Sequence, residues 1–186
     1  MLKVLVTYAV QEEFVEIKWP DAECYYVRTG VGKVKSAYYV AEAIRQVQPD
    51  LVLNIGTAGT VAHCVGDVFV CCTFVDRDMQ KLSAFGLDQP IDTFPLLQQR
   101  NLHRPWMGRA ACNTGDSFLT DERDVSGDVV DMEAYAQAFV CQSQEVPFLA
   151  IKYVTDVVGQ NSVKHWEDKL ADAKAALARY VASVQL

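Results

Sequence analysis

Residues 51–56, LVLNIG, form a short run that is apolar almost throughout, with Pro49-Asp50 before it and Gly-Thr-Ala-Gly at 56–59 after it. A run of this length and character is a strand of a sheet covered on both faces. Immediately upstream, in GVGKVKSAYYVAEAIRQVQPD (30–50), Val34, Ala37, Tyr38, Ala41, Ile44 and Val47 recur at helical spacing until Pro49 ends the pattern. Working outward, LKVLVTYA (2–9), CYYVRTG (24–30), VGDVFVCCTFV (65–75), RAACNTG (109–115) and PFLAIKYVTD (147–156) read as further strands. One helix starts near Glu133. Another runs from about Val163 to Val184, with Trp166, Leu170, Ala173, Leu177, Val181 and Val184 on one stripe. Strands alternating with helices predict a three-layer α/β/α sandwich around a central mixed sheet. The stretch from Met79 to Arg109 carries Pro90, Pro95 and Pro105 with little periodicity, so it reads as a long loop covering a site or a subunit contact. No repeat or linker divides the chain, and residues 1–186 are expected to form one domain.

Composition narrows the partners. The chain is 51% hydrophobic and 22% charged, as a globular protein is, and its formal net charge of −7 without a basic run argues against nucleic acid or an anionic membrane surface. A small molecule or another protein is left as partner. No apolar run approaches the length of a membrane span, and the N-terminus lacks the cleavage pattern of a signal peptide. Six cysteines without a CxxC pair read as reduced core thiols of a cytoplasmic protein. Neither they nor the three separated histidines suggest a metal, and no cofactor is expected.

In α/β sheets, ligands bind beyond the carboxyl ends of strands. Polar residues follow apolar runs at Gln11-Glu12-Glu13, at Gly56-Thr57-Ala58-Gly59, at Asp131-Met132-Glu133 and at Thr155-Asp156. Each has an ordinary reading. The glutamates suit the first turn of a helix, Asp131 or Asp156 suits a cap, and IGTAG suits a tight turn. Gathered at one edge, however, three acidic groups repel and push each other's pKa values apart, a costly arrangement suited to acid and base chemistry.

The ordered set QEE, GVGKVKSA, PDLVLNIGTAG, VGDVFV, TGDSFL, VVDMEAYA and IKYVTDVVGQNS resembles the nucleoside phosphorylase superfamily, most closely its methylthioadenosine/S-adenosylhomocysteine nucleosidases. The resemblance implies hydrolysis of a purine nucleoside's N-glycosidic bond. It implies that Glu13 activates water, that Glu133 beside Met132 binds the ribose hydroxyls, and that Asp156, held by Thr155, protonates N7 of the leaving base. It places Phe118 on the purine face, the Leu119 main chain at the base edge, and Thr57, Ala58 and Gly59 against base and sugar. Trp166, with Val10 and Met132, would line the 5′ pocket. A homodimer is implied, in which Phe85 of AFGLDQP (84–90) reaches the neighbouring site.

This chemistry agrees with the residue types, because a sugar cation is helped by carboxylates and by protonation of its leaving group. A phosphorylase would hold its phosphate on glycine amides and arginines, whereas the first strand-to-helix loop here, YAVQEE (8–13), offers two acids. Arg28, Arg77 and Lys152 keep phosphorolysis open, and another purine nucleoside or a non-catalytic binder also stays open. The chain is shorter than is usual in these nucleosidases, with VDRDM (75–79) in place of a different strand end and trimmed segments at 85–109 and 119–129.

Overall fold

The computed structural model describes residues 1–87, 89–119, 125–160 and 162–186. Among the described residues, eight strands and four α-helices follow one another. They are β1 (Leu2–Tyr8), β2 (Ala22–Arg28), α1 (Lys33–Val47), β3 (Leu51–Thr60), β4 (Val68–Asp76), β5 (Ile91–Asp92), α2 (Phe94–Gln99), β6 (Ala110–Thr114), β7 (Val129–Asp131), α3 (Ala134–Ser143), β8 (Phe148–Val157) and α4 (Ser162–Ser183). Short 3-10 turns at Gln11–Glu13 and Gln80–Phe85 complete the set.

The strands form one mixed sheet in the order β2-β1-β3-β7-β6-β4-β5, and β8 pairs with both β3 and β4. β8 lies parallel to β3 and antiparallel to β4, while β7 meets β3 through the single antiparallel pair Gly59–Val130. Strands β3, β8, β4, β6 and β7 therefore close on themselves, and β1 and β2 extend the sheet beyond β3.

Alternation along the strands builds a core on each face. Val4, Val6, Leu51, Leu53, Ile55, Leu149 and Ile151 join Ala173, Leu177 and Val181 of α4. The intervening Leu5, Val52, Phe148, Ala150 and Val154 join Val40 and Ile44 of α1 and Ala134, Ala138 and Cys141 of α3. The layered α/β architecture and the α4 stripe agree with the sequence pattern.

Two expectations need correction. In α1 the buried side is Ser36, Val40, Ala43 and Ile44, which leaves Val34 at 79% and Tyr38 at 62% exposure. A serine can face the core here because its hydroxyl reaches the Lys33 and Glu133 carbonyls at 3.3 and 3.4 Å. The segment 79–109 is also not one long loop. Pro95 sits in the first turn of α2, where a missing N–H costs nothing, and Leu97, Leu102 and Met107 are buried in the α4-side core. Part of that segment packs into the core, and its exposed large apolar side chains are Met79, Leu82, Phe85 and Leu87.

Candidate active site

The ends of six strands converge on one cavity of about 390 Å3, within the range of small-molecule sites. Glu13 enters after β1, Thr57, Ala58 and Gly59 from within β3, and Arg77 after β4. Ser117, Phe118 and Leu119 come after β6, Val130, Asp131, Met132 and Glu133 from β7 and its exit, and Asp156 from β8. Trp166 of α4 and the apolar Ala9, Val10 and Val31 complete the wall.

Glu13 is buried and held on both oxygens. Oε1 accepts from the Thr57 amide at 2.8 Å and the Thr57 hydroxyl at 2.6 Å, and Oε2 accepts longer bonds from the Ala9 and Val10 amides at 3.2 and 3.3 Å. The Trp166 indole N–H donates to the same Thr57 hydroxyl at 2.9 Å. Gly56 makes this packing possible, since a Cβ there would stand 3.2 Å from Glu13 Oε1 and 3.5 Å from Lys152 Nζ.

Asp131 and Glu133 have different jobs. Asp131 caps α3 through the Ala134 amide at 2.9 Å, accepts from the Thr114 hydroxyl, and pairs with the buried Lys152 ammonium at 2.8 Å. These partners hold its carboxyl below the usual range despite burial, and the same pair raises Lys152. Glu133 accepts from the Gly32 amide at 3.0 Å. Burial, followed by the charge of Asp131, pushes its carboxyl up to about 8, against the opposing pull of Lys152 and the Gly32 amide. It is a buried acid that holds its proton near neutrality, with the Gly32 amide donating to it.

Asp156 is buried at the end of β8, where the Thr155 hydroxyl donates to its Oδ1 at 2.8 Å. A Cβ on Gly59 would come within 3.0 Å of Asp156 Oδ2 and 3.1 Å of Val130, so glycine is what lets β3, β7 and this carboxylate meet. Phe118, 38% exposed, lines the same cavity. Behind it, the Arg77 guanidinium donates to the Asn113 carbonyl and side chain at 3.2 and 3.3 Å and to the Ser117 carbonyl at 2.9 Å. Lys33 Nζ bridges Asp76 and Asp78 at 2.9 and 2.7 Å, which ties the start of α1 to the end of β4.

The structure thus gathers Glu13, Thr57, Ala58, Gly59, Phe118, Leu119, Met132, Glu133, Asp156 and Trp166 around one space, with Val10 beside them. Thr155 stands behind Asp156 and bonds it. Phe85 is 76% exposed and does not line this chain's cavity. The Gly-Thr-Ala-Gly segment is not a loop but the last part of β3, with a register shift at Ala58/Gly59. Lys152 is no anion ligand, because Asp131 engages it. Sequence reasoning passed over Ala9, Val31, Ser117 and Val130 as wall residues; nothing in their local pattern distinguishes them from packing residues.

The sequence model of the Phosphorylase superfamily matches residues 6–185. The 5′-methylthioadenosine/S-adenosylhomocysteine nucleosidase of Bacillus pumilus is 26% identical over 184 residues, covering 87% of this chain and 80% of the relative. The Helicobacter pylori enzyme of that name, solved with butyl-thio-DADMe-Immucillin-A, superposes with a TM-score of 0.79 at 19% identity over 98% of this chain and 97% of the other. The futalosine hydrolase of the same organism superposes with a TM-score of 0.78 at 18% identity, over 98% of this chain and 96% of the other.

Proposed function

Since the chain belongs to the phosphorylase superfamily, we propose that it hydrolyses the N-glycosidic bond of a purine nucleoside, with 5′-methylthioadenosine and S-adenosylhomocysteine, for which its relatives are named, as the substrates. The observation that carries this reading is one cavity, with an otherwise largely apolar wall, lined by three buried carboxyl side chains, Glu13, Glu133 and Asp156.

Asp156, in its acid form, gives its proton to N7 of the base, so that the electrons of the C1′–N9 bond leave with a neutral purine. The sugar is left with cationic character at C1′, which the carboxylates stabilise. Glu133 holds the 2′- and 3′-hydroxyls. Glu13, oriented by its four donors, takes a proton from the water whose oxygen bonds to C1′. Phe118 covers the purine face, the Leu119 main chain meets its edge, and Trp166, Val10 and Met132 bound the 5′ substituent.

Water is favoured over phosphate by where the cations are spent. Lys152 pairs with Asp131, Lys33 with Asp76 and Asp78, and Arg77 with carbonyls. A phosphate dianion entering beside Glu13 would meet a carboxylate already saturated with the local amides.

The same reading makes the protein a cytoplasmic homodimer. No helix among the described residues is long and apolar enough to cross a membrane. Val31, Val34, Tyr38 and Tyr39 around α1, Phe139 on α3, and Phe85 and Leu87 are all exposed, which is a large apolar surface for a lone chain. A second copy covers it and brings its Phe85 to the 5′ end of the cavity. The test is incubation with methylthioadenosine, S-adenosylhomocysteine, adenosine, inosine and futalosine in phosphate-free buffer. Base release fastest from the 5′-thioadenosines supports the reading; release from none of the five rejects it.

A further inference from the structure

We propose that Trp166 is a positioning residue that fixes the orientation of Glu13 through the hydroxyl of Thr57. The inference rests on the reading of Glu13 as the water-activating group. An indole N–H can only donate and a carboxylate can only accept, so the proton order along Trp166, Thr57 and Glu13 has one solution. Trp166 Nε1 donates to Thr57 Oγ1 at 2.9 Å, and Thr57 Oγ1 donates to Glu13 Oε1 at 2.6 Å. With its lone pair engaged by the indole, the hydroxyl directs its single proton to the carboxylate. Thr57 is itself held by β3, and its branched side chain has few rotamers to choose from.

The use made of the other two indoles sharpens the contrast. Trp19 donates to the Val181 carbonyl at 2.9 Å and Trp106 to the Gln185 carbonyl at 2.7 Å, both main-chain acceptors remote from the cavity. Trp166 donates to a side-chain hydroxyl on the cavity wall, and that hydroxyl serves the buried acid. Three segments far apart in sequence, the turn after β1, the end of β3 and the start of α4, are joined by this one chain of bonds. A stripe residue needed merely for packing has no use for such a partner.

The experiment is a double-mutant cycle with W166F and T57V on methylthioadenosine cleavage, joined to the indole N–H resonances of 15N-labelled protein. One lost buried hydrogen bond corresponds to about five- to tenfold. W166F should lower kcat by about that factor in the native background and by less than about twofold when Thr57 is already valine. T57S, which keeps the hydroxyl, should lose less kcat than T57V and should restore the coupling to W166F. T57V should move the Trp166 indole proton while those of Trp19 and Trp106 stay in place. Equal losses from W166F in both backgrounds, or a loss in KM alone, overturn the proposal. So does an unmoved Trp166 resonance in T57V. If the native protein cleaves no nucleoside, the functional reading fails, and the resonances still decide the hydrogen-bond chain.

Discussion

Replacing Glu133 by glutamine should make the protein more stable in alkaline solution while disabling it. The unfolded carboxyl ionises near its ordinary 4.5, whereas the folded one, buried beside Asp131, holds its proton up to about 8. Between those values the folded state binds more protons than the unfolded one, so the contribution of Glu133 to native stability falls as pH rises through that window and is level on either side. At 1.36 kcal/mol per pKa unit the ceiling is about 5 kcal/mol. Glutamine keeps an oxygen for the Gly32 amide and cannot ionise. Its NH2 group needs an acceptor, which returns roughly 1–3 kcal/mol. A net gain of about 2–4 kcal/mol is expected at about pH 8.5, or roughly 4–16 °C in Tm at this chain length, and no gain below about pH 4.5. Urea unfolding of both proteins from acid to alkaline pH, at one protein concentration, measures this directly. Stability curves of the two proteins that run parallel with pH, or a variant weaker than native at high pH, would refute the reasoning.

Asp156→Asn preserves shape but gives no proton, so kcat should fall by about 10² to 10⁴ with KM little changed; steady-state rates and nucleoside binding by calorimetry separate the two. Lys152→Met strands the buried Asp131 carboxylate and should cost about 3–5 kcal/mol in denaturant unfolding, with much of that recovered in the Lys152→Met, Asp131→Asn double variant. Phe85→Ser should weaken self-association in light scattering and raise KM for methylthioadenosine more than for adenosine, whose 5′ end leaves the apolar pocket unfilled.

The strands and helices were legible because burial on both faces imposes its period on the residues, as β1, β3, β8 and α4 show. Legibility failed where apolar residues stand on the surface of the chain. Val34 and Tyr38 continue the helical spacing of α1 yet point away from the core, so periodicity alone chose the wrong side. It failed also where glycine is kept for close approach. Gly56 and Gly59 looked like turn residues, but they lie inside β3 beside Glu13, Lys152 and Asp156. Pro95 looked like a breaker and is instead a first-turn residue of α2. The cap role of Asp131 was visible locally, whereas its ion pair with Lys152 joins β7 to β8 and has no local signature. Likewise, the Asn54 amide donates to Thr7 within the core at 3.1 Å, a polar link concealed in the apolar run that announced β3. For the site, family-ordered motifs named the residues; the structure adds that all of them but Thr155, which stands behind Asp156, and Phe85, which is exposed, meet at one cavity, and that Trp166 is bonded to Thr57.

The central claim is that water, activated beside Glu13, takes the sugar. It is tested most directly by following methylthioadenosine turnover in phosphate buffer by phosphorus NMR while adenine release is recorded. The expected result is adenine with free methylthioribose, at a rate that does not depend on phosphate and with no sugar phosphate signal. Formation of methylthioribose 1-phosphate, or turnover that requires phosphate, would contradict it.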